Sequence, residues 1–294
     1  MAAASRVLGK LAIVLSGPTY YILNYISCGI GLRESVRSAE GITGRRPESS
    51  SRERQGPRQV AGPLNLFVTP TDLDQILPWI MGGAKSGSNF PLTNYPPTFT
   101  LLHYKDSTGG FFEWSGCVVN TATFSATTGG FLNVNLDVMG NDETQPTGIT
   151  LNSYPDVKSP YVMEDCVLLV NTTAYPFDSF SCTIAQNQDA KFFNNLTPQR
   201  YVPGIRKTTV NLSMPLGDTA ALYGIAVASA TVVATFTNGS DSLTITLNNV
   251  SSPRSAIGEN ANEFEQNWVG TATETVASNG TTITPEVIIA NVST

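Results

Sequence analysis

Apolar and polar residues alternate along most of the chain. Leu64, Leu66 and Val68 share one face of a short run, and Val210, Leu212, Met214 and Leu216 share one face of another. A period of two marks antiparallel strands with one face buried and one wet. The helical period shows clearly once, where Leu73, Ile76, Leu77 and Ile80 form a stripe. Thr71 is placed to cap that helix, and Asp72 and Asp74 suit its positive end. Pro78 is expected to kink or shorten it, and Gly82-Gly83 to stop it.

The pattern also repeats. GPRQVAGPLNLFV (56–68) aligns with GIRKTTVNLSMPL (204–216) at an offset of 148 residues, which sets Gly56 on Gly204, Arg58 on Arg206 and Leu64 on Leu212. Upstream, NYISCGIGLRESV (24–36) parallels DSFSCTIAQNQDA (178–190) at an offset of 154, which sets Cys28 on Cys182. The first linker is therefore about six residues longer. Downstream, HYKDSTGGFFEWSG (103–116) and FTNGSDSLTITLNN (236–249) both read as turn-bearing hairpins. Asp218 is placed to cap a second helix through Tyr223. Four elements in one order predict two tandem related β domains, 1–150 and 151–294.

Composition supports a β-rich chain. Charged residues make up 14% of 294 positions, well below the ~25% of ordinary soluble domains. No run approaches the ~18 apolar residues of a membrane helix. The charge is uneven. Residues 1–60 hold nine basic and four acidic groups, a net of +5, and the remainder holds 8 and 19, a net of −11. Five arginines (Arg45, Arg46, Arg52, Arg54, Arg58) crowd into a stretch with almost nothing apolar to bury, inside an arginine-rich loop spanning 33–63. The segment 44–58 is expected to be mobile in a lone subunit and to pair with carboxylates elsewhere. Nucleic-acid binding is the competing use of these arginines, and the acidic body opposes it.

Catalytic patterns are few. His103 is the only histidine and sits in an alternating strand, where a structural role is expected. No nucleophile elbow, phosphate loop or zinc-helix motif occurs. Glu164 and Asp165 are adjacent, so a strand would point them to opposite faces. Asn141-Asp142-Glu143 reads as a solvated turn, with a calcium site as the alternative. Cys28, Cys117, Cys166 and Cys182 form no CxxC pair and are expected to be buried free thiols. Seven glycosylation sequons occur in a chain rich in Asn, Ser and Thr, and Asn211 would fall in mid-strand. Residues 6–15 faintly resemble a secretory leader, but Lys10 interrupts it and no cleavage site follows. The reading is a non-secreted chain made in a reducing cytoplasm.

Taken together, certain segments are similar to the siphophage-type major tail protein, the tail tube protein family of long-tailed bacteriophages. The likeness rests on Ser16-Gly17 and Cys28 in the first strands, the loop GRRPESSSRERQGPR (44–58), V-A-G-x-L-x-L-x-V-T-P (60–70), L-x-x-I-L-P-x-I-M-G (73–82), and the weaker second copy from Gly204 to Tyr223. The resemblance implies a tail-tube β-sandwich or β-barrel with short flanking helices and no enzyme activity or cofactor. It implies a virion subunit, made in the host bacterium, that stacks in rings as the conduit for genome ejection. The basic loop (Arg45, Arg46, Arg52, Arg54, Arg58) would reach a neighbouring ring, and DNA would pass an acidic lumen without specific binding. Partners would be copies of itself, the tape measure, the terminator and the baseplate, with no membrane. A duplicated chain favours a trimeric pseudo-hexamer, with a hexamer as the alternative. A tail terminator, a baseplate hub and a secreted carbohydrate-binding β-sandwich are the competing readings.

Overall fold

A computed structural model of the chain describes residues 9–16, 19–38, 53–105, 110–151, 158–215, 229–253, 257–259, 264–276 and 283–293. Alternation becomes strand nearly everywhere it was expected, so the fold is mainly antiparallel β. The first half contains β1 (Lys10–Ser16), β2 (Thr19–Leu23), β3 (Tyr25–Cys28), β4 (Gly31–Ser38) and β5 (Glu53–Phe67). The helix α1 (Pro70–Met81) follows, then β6 (Asn89–Phe90), β7 (Phe99–Tyr104), β8 (Phe111–Thr127), β9 (Asn133–Gly140) and β10 (Asp142–Thr144). The second half contains β11 (Cys166–Val170), β12 (Thr173–Ala174), β13 (Ser179–Ala185), β14 (Asp189–Lys191), β15 (Arg200–Val202) and β16 (Lys207–Pro215). It ends with β17 (Ala230–Asn238), β18 (Asp241–Val250), β19 (Ile257–Glu259), β20 (Phe264–Ala272), β21 (Thr275–Val276), β22 (Ile283–Thr284) and β23 (Val287–Val292).

The helix begins one turn earlier than its stripe suggests. Thr69, not Thr71, is the cap: its Oγ1 accepts from the Asp72 amide at 3.1 Å, and Pro70 occupies the first turn, where a missing N–H costs nothing. Pro78 is accommodated without ending the helix, which stops where Gly82 turns left-handed at φ 93° and donates to the Pro78 carbonyl at 2.8 Å. Leu73, Ile76, Leu77 and Ile80 are fully buried, and Trp79 stacks on Phe99 with centroids 4.0 Å apart. The predicted second helix at 218–223 lies outside the described residues.

Strand pairing follows one scheme twice. β2 pairs β1, β1 pairs β7, β7 pairs β8 and β8 pairs β10. In the second half β12 pairs β11, β11 pairs β17, β17 pairs β18 and β18 pairs β23. Likewise β3 and β4 pair β5, which pairs β9, while β13 pairs β16, which pairs β20. The two halves are also joined directly. β8 pairs β13 over seven positions, β6 pairs β23, and a single buried cluster contains residues of both sheets and α1. The registers refine the repeat read from sequence. Cys28 opposes Leu64 as Phe180 opposes Leu212, so Cys28 stands at the place of Phe180, two residues from Cys182. A run of small and polar residues there left the sequence register free to slip by one pleat.

The basic stretch is not a loop throughout. Gly31–Ala61 is largely one hairpin, with Leu32 opposite Val60 and Arg37 opposite Arg54. Only the base of this hairpin is anchored by buried side chains, Val60 and Ala61, and its outer part is held by backbone pairing, which is why low apolar content read as loop. Residues 39–52, with Arg45, Arg46 and Arg52, lie outside the described residues.

Candidate functional site

Eight strand positions run side by side through both halves: β3/β4, β5, β9, the later part of β8, β13, β16, β20 and β19. One face of this ribbon is core. Leu66, Val134, Phe124, Cys182 and Val210 lie in one register row there, all buried. The other face carries the alternate residues. A row across seven strands reads Ser27, Asn65, Asn135, Thr123, Thr183, Thr209, Thr271. The next row reads Phe67, Asn133, Ser125, Ser181, Asn211, Val269.

This face is therefore a field of short hydroxyls and amides. Some partner one another, as Thr123 and Thr183 do at 3.1 Å and Asn65 with Ser27 at 2.8 Å. Charge is sparse: Asp137 and Lys207 stand in the row that begins at Pro63, and both are exposed. The acidic surplus beyond residue 60 is thus not gathered on these rows. Asn211 occupies one of them, in mid-strand as expected.

The ends of the ribbon matter most. β8 meets β13 in the middle, with Phe124 opposite Cys182 and Ala126 opposite Phe180. At one end β3 pairs only β5, and at the other β19 pairs only β20 among the described residues. By the repeat, β19 stands where the later part of β8 stands, and β3 stands where β13 stands. In this pairing scheme β8 and β13 meet in the centre, and the corresponding strands β19 and β3 lie at the two ends among the described residues. Open strand edges are templates for pairing.

Two arginines set by the repeat anchor matching corners. The Arg58 guanidinium bonds Asp142 at 3.0 Å and lies 3.8 Å from Glu34. Arg206 bonds Glu286, and its Nη1 donates to the Thr93 carbonyl at 3.0 Å. Asp142 opens β10 and Glu286 precedes β23, so the pairs are counterparts. Arg58 is therefore engaged within its own chain, while Arg54 is exposed on β5. Sequence reasoning missed Asp142 and Glu286, although the shared G-x-R of Gly56–Arg58 and Gly204–Arg206 was the available signal.

The remaining chemical candidates are structural. His103 packs edge-on against Tyr25 at 5.9 Å and beside Trp114 at 5.6 Å; burial and then the Lys105 charge push its pKa down to about 4. Asp142 is taken by Arg58, and Glu143 accepts from Trp114 Nε1 at 2.7 Å, which leaves the 141–143 turn no open carboxylate pair for calcium. Glu164 accepts from the Gly129 amide. The four cysteines are free, and burial pushes the Cys117 and Cys182 thiols up to about 12.

Among the described residues no helix is long and apolar enough to cross a membrane. No individual curated protein matches the chain significantly. The sequence profile described as phage tail tube protein matches residues 8–289, which is nearly the whole chain and includes both halves of the ribbon. The chain belongs to the phage tail tube protein family, a family of structural proteins of the virion tail.

Proposed function

We propose that this chain is a two-unit tail tube subunit, a tandem duplication whose three copies close one ring. The observation that carries this reading is the central β8–β13 junction, whose two halves correspond to β19 and β3, each paired on one side only among the described residues. Pairing β19 of one copy with β3 of the next repeats a contact the chain already makes and removes both edges. Transferring the register sets Ile257 opposite Ile30, Gly258 opposite Gly29 and Glu259 opposite Cys28 of the next copy.

Ring size then follows from strand geometry. Eight strands per chain give a 24-stranded barrel for three copies, about 45–50 Å across at the backbone for strands ~4.8 Å apart and tilted ~40°. Six copies would give about twice that, far wider than a duplex requires. The Ser, Thr and Asn rows line the lumen. Lys207 on the neighbouring row is offset by Asp137, so these rows offer DNA little cationic charge to exchange for counterions, and the genome slides without being held. The arginine-bearing arm, through Arg45, Arg46, Arg52 and Arg54, makes contacts between subunits. Rings stack into the conduit and meet the terminator, tape measure and baseplate of the tail.

Negative-stain microscopy of the purified protein tests the class directly. Hollow tubes, or short stacks of rings, are expected. A monomer at every concentration and ionic strength in sedimentation would contradict the reading, as would tight, salt-steep DNA binding by the assembled tube.

A further inference from the structure

One inward position of the last strand is polar where its pattern calls for an apolar residue. Val287, Ile289 and Asn291 alternate toward the core along β23, and Asn291 is fully buried. β6 fixes its place: Phe90 opposes Ile289, Asn89 opposes Ala290, and the Asn291 backbone amide donates to the Ser88 carbonyl at 2.8 Å. A buried carboxamide is costly unless its polar atoms are partnered. Here Nδ2 donates to the Pro70 carbonyl at 2.8 Å and to Asp74 Oδ1 at 2.7 Å, while Oδ1 accepts from the Tyr161 hydroxyl at 3.4 Å.

The carboxylate that holds this amide also holds an amine. Lys85 lies just beyond the end of α1, and its Nζ is 2.7 Å from Asp74 Oδ1 and 2.8 Å from Oδ2. Lys85 Nζ and Asn291 Nδ2 therefore meet at one carboxylate oxygen. Ser293 closes the other side, donating to Asp74 Oδ2 at 2.5 Å and accepting from Lys85 at 3.3 Å. The Lys85 and Asp74 side chains are only 29% and 23% exposed, and Nζ stands 5.9 Å from the ring centre of the buried Phe90. Burial, and then the Asp241 and Asp74 charges, push the Tyr161 pKa up, so its hydroxyl remains a donor to the Asn291 carbonyl. An amine and a carboxamide held on a shared carboxylate, away from bulk water, are oriented for amide exchange.

We propose that Lys85 and Asn291 join in an intramolecular isopeptide bond, with Asp74 carrying the protons and Tyr161 stabilising the oxyanion. Asp74 takes a proton from the Lys85 ammonium, and the freed Nζ lone pair attacks Asn291 Cγ. The carbonyl electron pair moves onto Oδ1, where the Tyr161 hydroxyl donates to it. Two protons pass in turn from Nζ through Asp74 to Nδ2, the Cγ–Nδ2 bond breaks, and ammonium leaves. One C–N bond replaces another, nothing is oxidised or reduced, and no co-reactant is consumed. The product ties the segment after α1 to the last strand, so the two halves of the chain are held covalently at a second place. A cross-link that closes so long a loop restricts the unfolded chain most. This inference is independent of how many copies close a ring.

Intact-mass spectrometry of the full chain, followed by peptide mapping, tests this. The folded protein is expected to be lighter than its sequence by one ammonia. Its tryptic digest should contain one branched species joining the fragments that carry Lys85 and Asn291. Asp74→Asn should slow the mass loss at least about a hundredfold. Lys85→Arg keeps a cation beside Asp74 and should abolish the loss. The wild-type mass is itself decisive, so a variant that fails to fold does not shield the proposal. Folded protein that keeps its full sequence mass through prolonged incubation at neutral to mildly alkaline pH overturns it. Conversion of Asn291 to an aspartate overturns it too, since water and not Lys85 would then reach the amide. So does ammonia lost at Asn238 alone, where the following Gly239 leaves succinimide closure unhindered and the Lys85 and Asn291 fragments stay separate.

Discussion

The two halves solve the same packing problem with different endings. In the first, β8 runs unbroken from Phe111 to Thr127, bends at Gly116 (φ 60°), and passes from pairing β7 and β10 to pairing β9 and β13. In the second, the same path is divided: β18 ends at Val250, one bridge joins Ser251 to Thr271, and β19 resumes at Ile257. The first half spends its outer edge inside the chain, on β13. The second half presents its edge outward. The shorter arm is docked within the chain, where the Arg58 amide donates to the Leu196 carbonyl, and the tip of the longer, arginine-bearing one, 39–52, lies outside the described residues. On the proposed reading, a duplicated subunit needs only one of its two junctions to be covalently guaranteed, and the β19 and β3 edges are the pair left to assembly.

Proline substitution should break that contrast most sharply. Ser125→Pro removes a ladder hydrogen bond from a strand paired on both sides and should cost about 3 kcal/mol or more, enough to unfold the chain at physiological temperature. Gly258→Pro at the outward edge should leave a folded, cooperatively melting monomer that no longer forms rings. Calorimetry with sedimentation checks both. A Gly258→Pro variant that still assembles would show that β19 is not the closing edge.

The anchoring ion pairs should differ next. Arg206 and Glu286 have side chains only 16% and 9% exposed, against 33% for both Arg58 and Asp142. Arg206→Ala leaves a carboxylate uncompensated in a poorly hydrated site and should cost about 2–4 kcal/mol. Arg58→Ala should cost about 1 kcal/mol or less in a monomeric background. Urea denaturation of the monomer measures both, and equal losses would contradict the difference in burial.

The matched glycines sharpen the same comparison. A Cβ on Gly204 would lie 2.6 Å from the Asn187 carbonyl oxygen, a backbone atom, so Gly204→Ala should cost about 1–3 kcal/mol. On Gly56 the nearest atom is the Ser35 hydroxyl at 2.4 Å, with the backbone oxygen at 2.9 Å, so part of that clash relaxes by a rotamer change. Gly56→Ala should be the milder of the two in thermal melts.

These glycines also explain what the sequence disclosed. Gly56 and Gly204 were legible because a close backbone approach tolerates no other residue, and the neighbouring arginines because each anchors a corner. The strand pattern was legible because one face is buried throughout. The register of Cys28 was not, since the Ser-rich pleats around it fit two alignments equally well. The arm was misjudged because strand pairing in an exposed hairpin draws on backbone hydrogen bonds and leaves no apolar signature. The carboxylates Asp142 and Glu286 lie 84 and 80 residues from their arginines, beyond any local pattern. The neutral rows appear only when seven strands are laid in register.

Acid should produce the smallest difference, and only in the first half. The folded pKa of His103, about 4, is depressed below the ordinary 6.5, so the native state favours the neutral ring. Its stabilising preference is fully present above pH 6.5 and is lost as the pH falls from there toward 4. His103 lies on β7 opposite Leu11 of β1, and no histidine occurs in the second half. Amide exchange in β1 and β7 should therefore accelerate between pH 6.5 and 4 before that in β11 and β17. His103→Phe should remove the difference, whereas simultaneous acceleration in both halves would assign it to carboxylates.

The central claim is that two halves of one chain occupy equivalent places in a ring of three. Cryo-electron microscopy of the assembled tube, averaged without imposed symmetry, measures this most directly. The account predicts threefold symmetry per ring, six near-equivalent lobes and a 24-stranded inner wall about 45–50 Å across at the backbone. Six chains in a ring, with twelve lobes or with one half excluded from the inner wall, would contradict it.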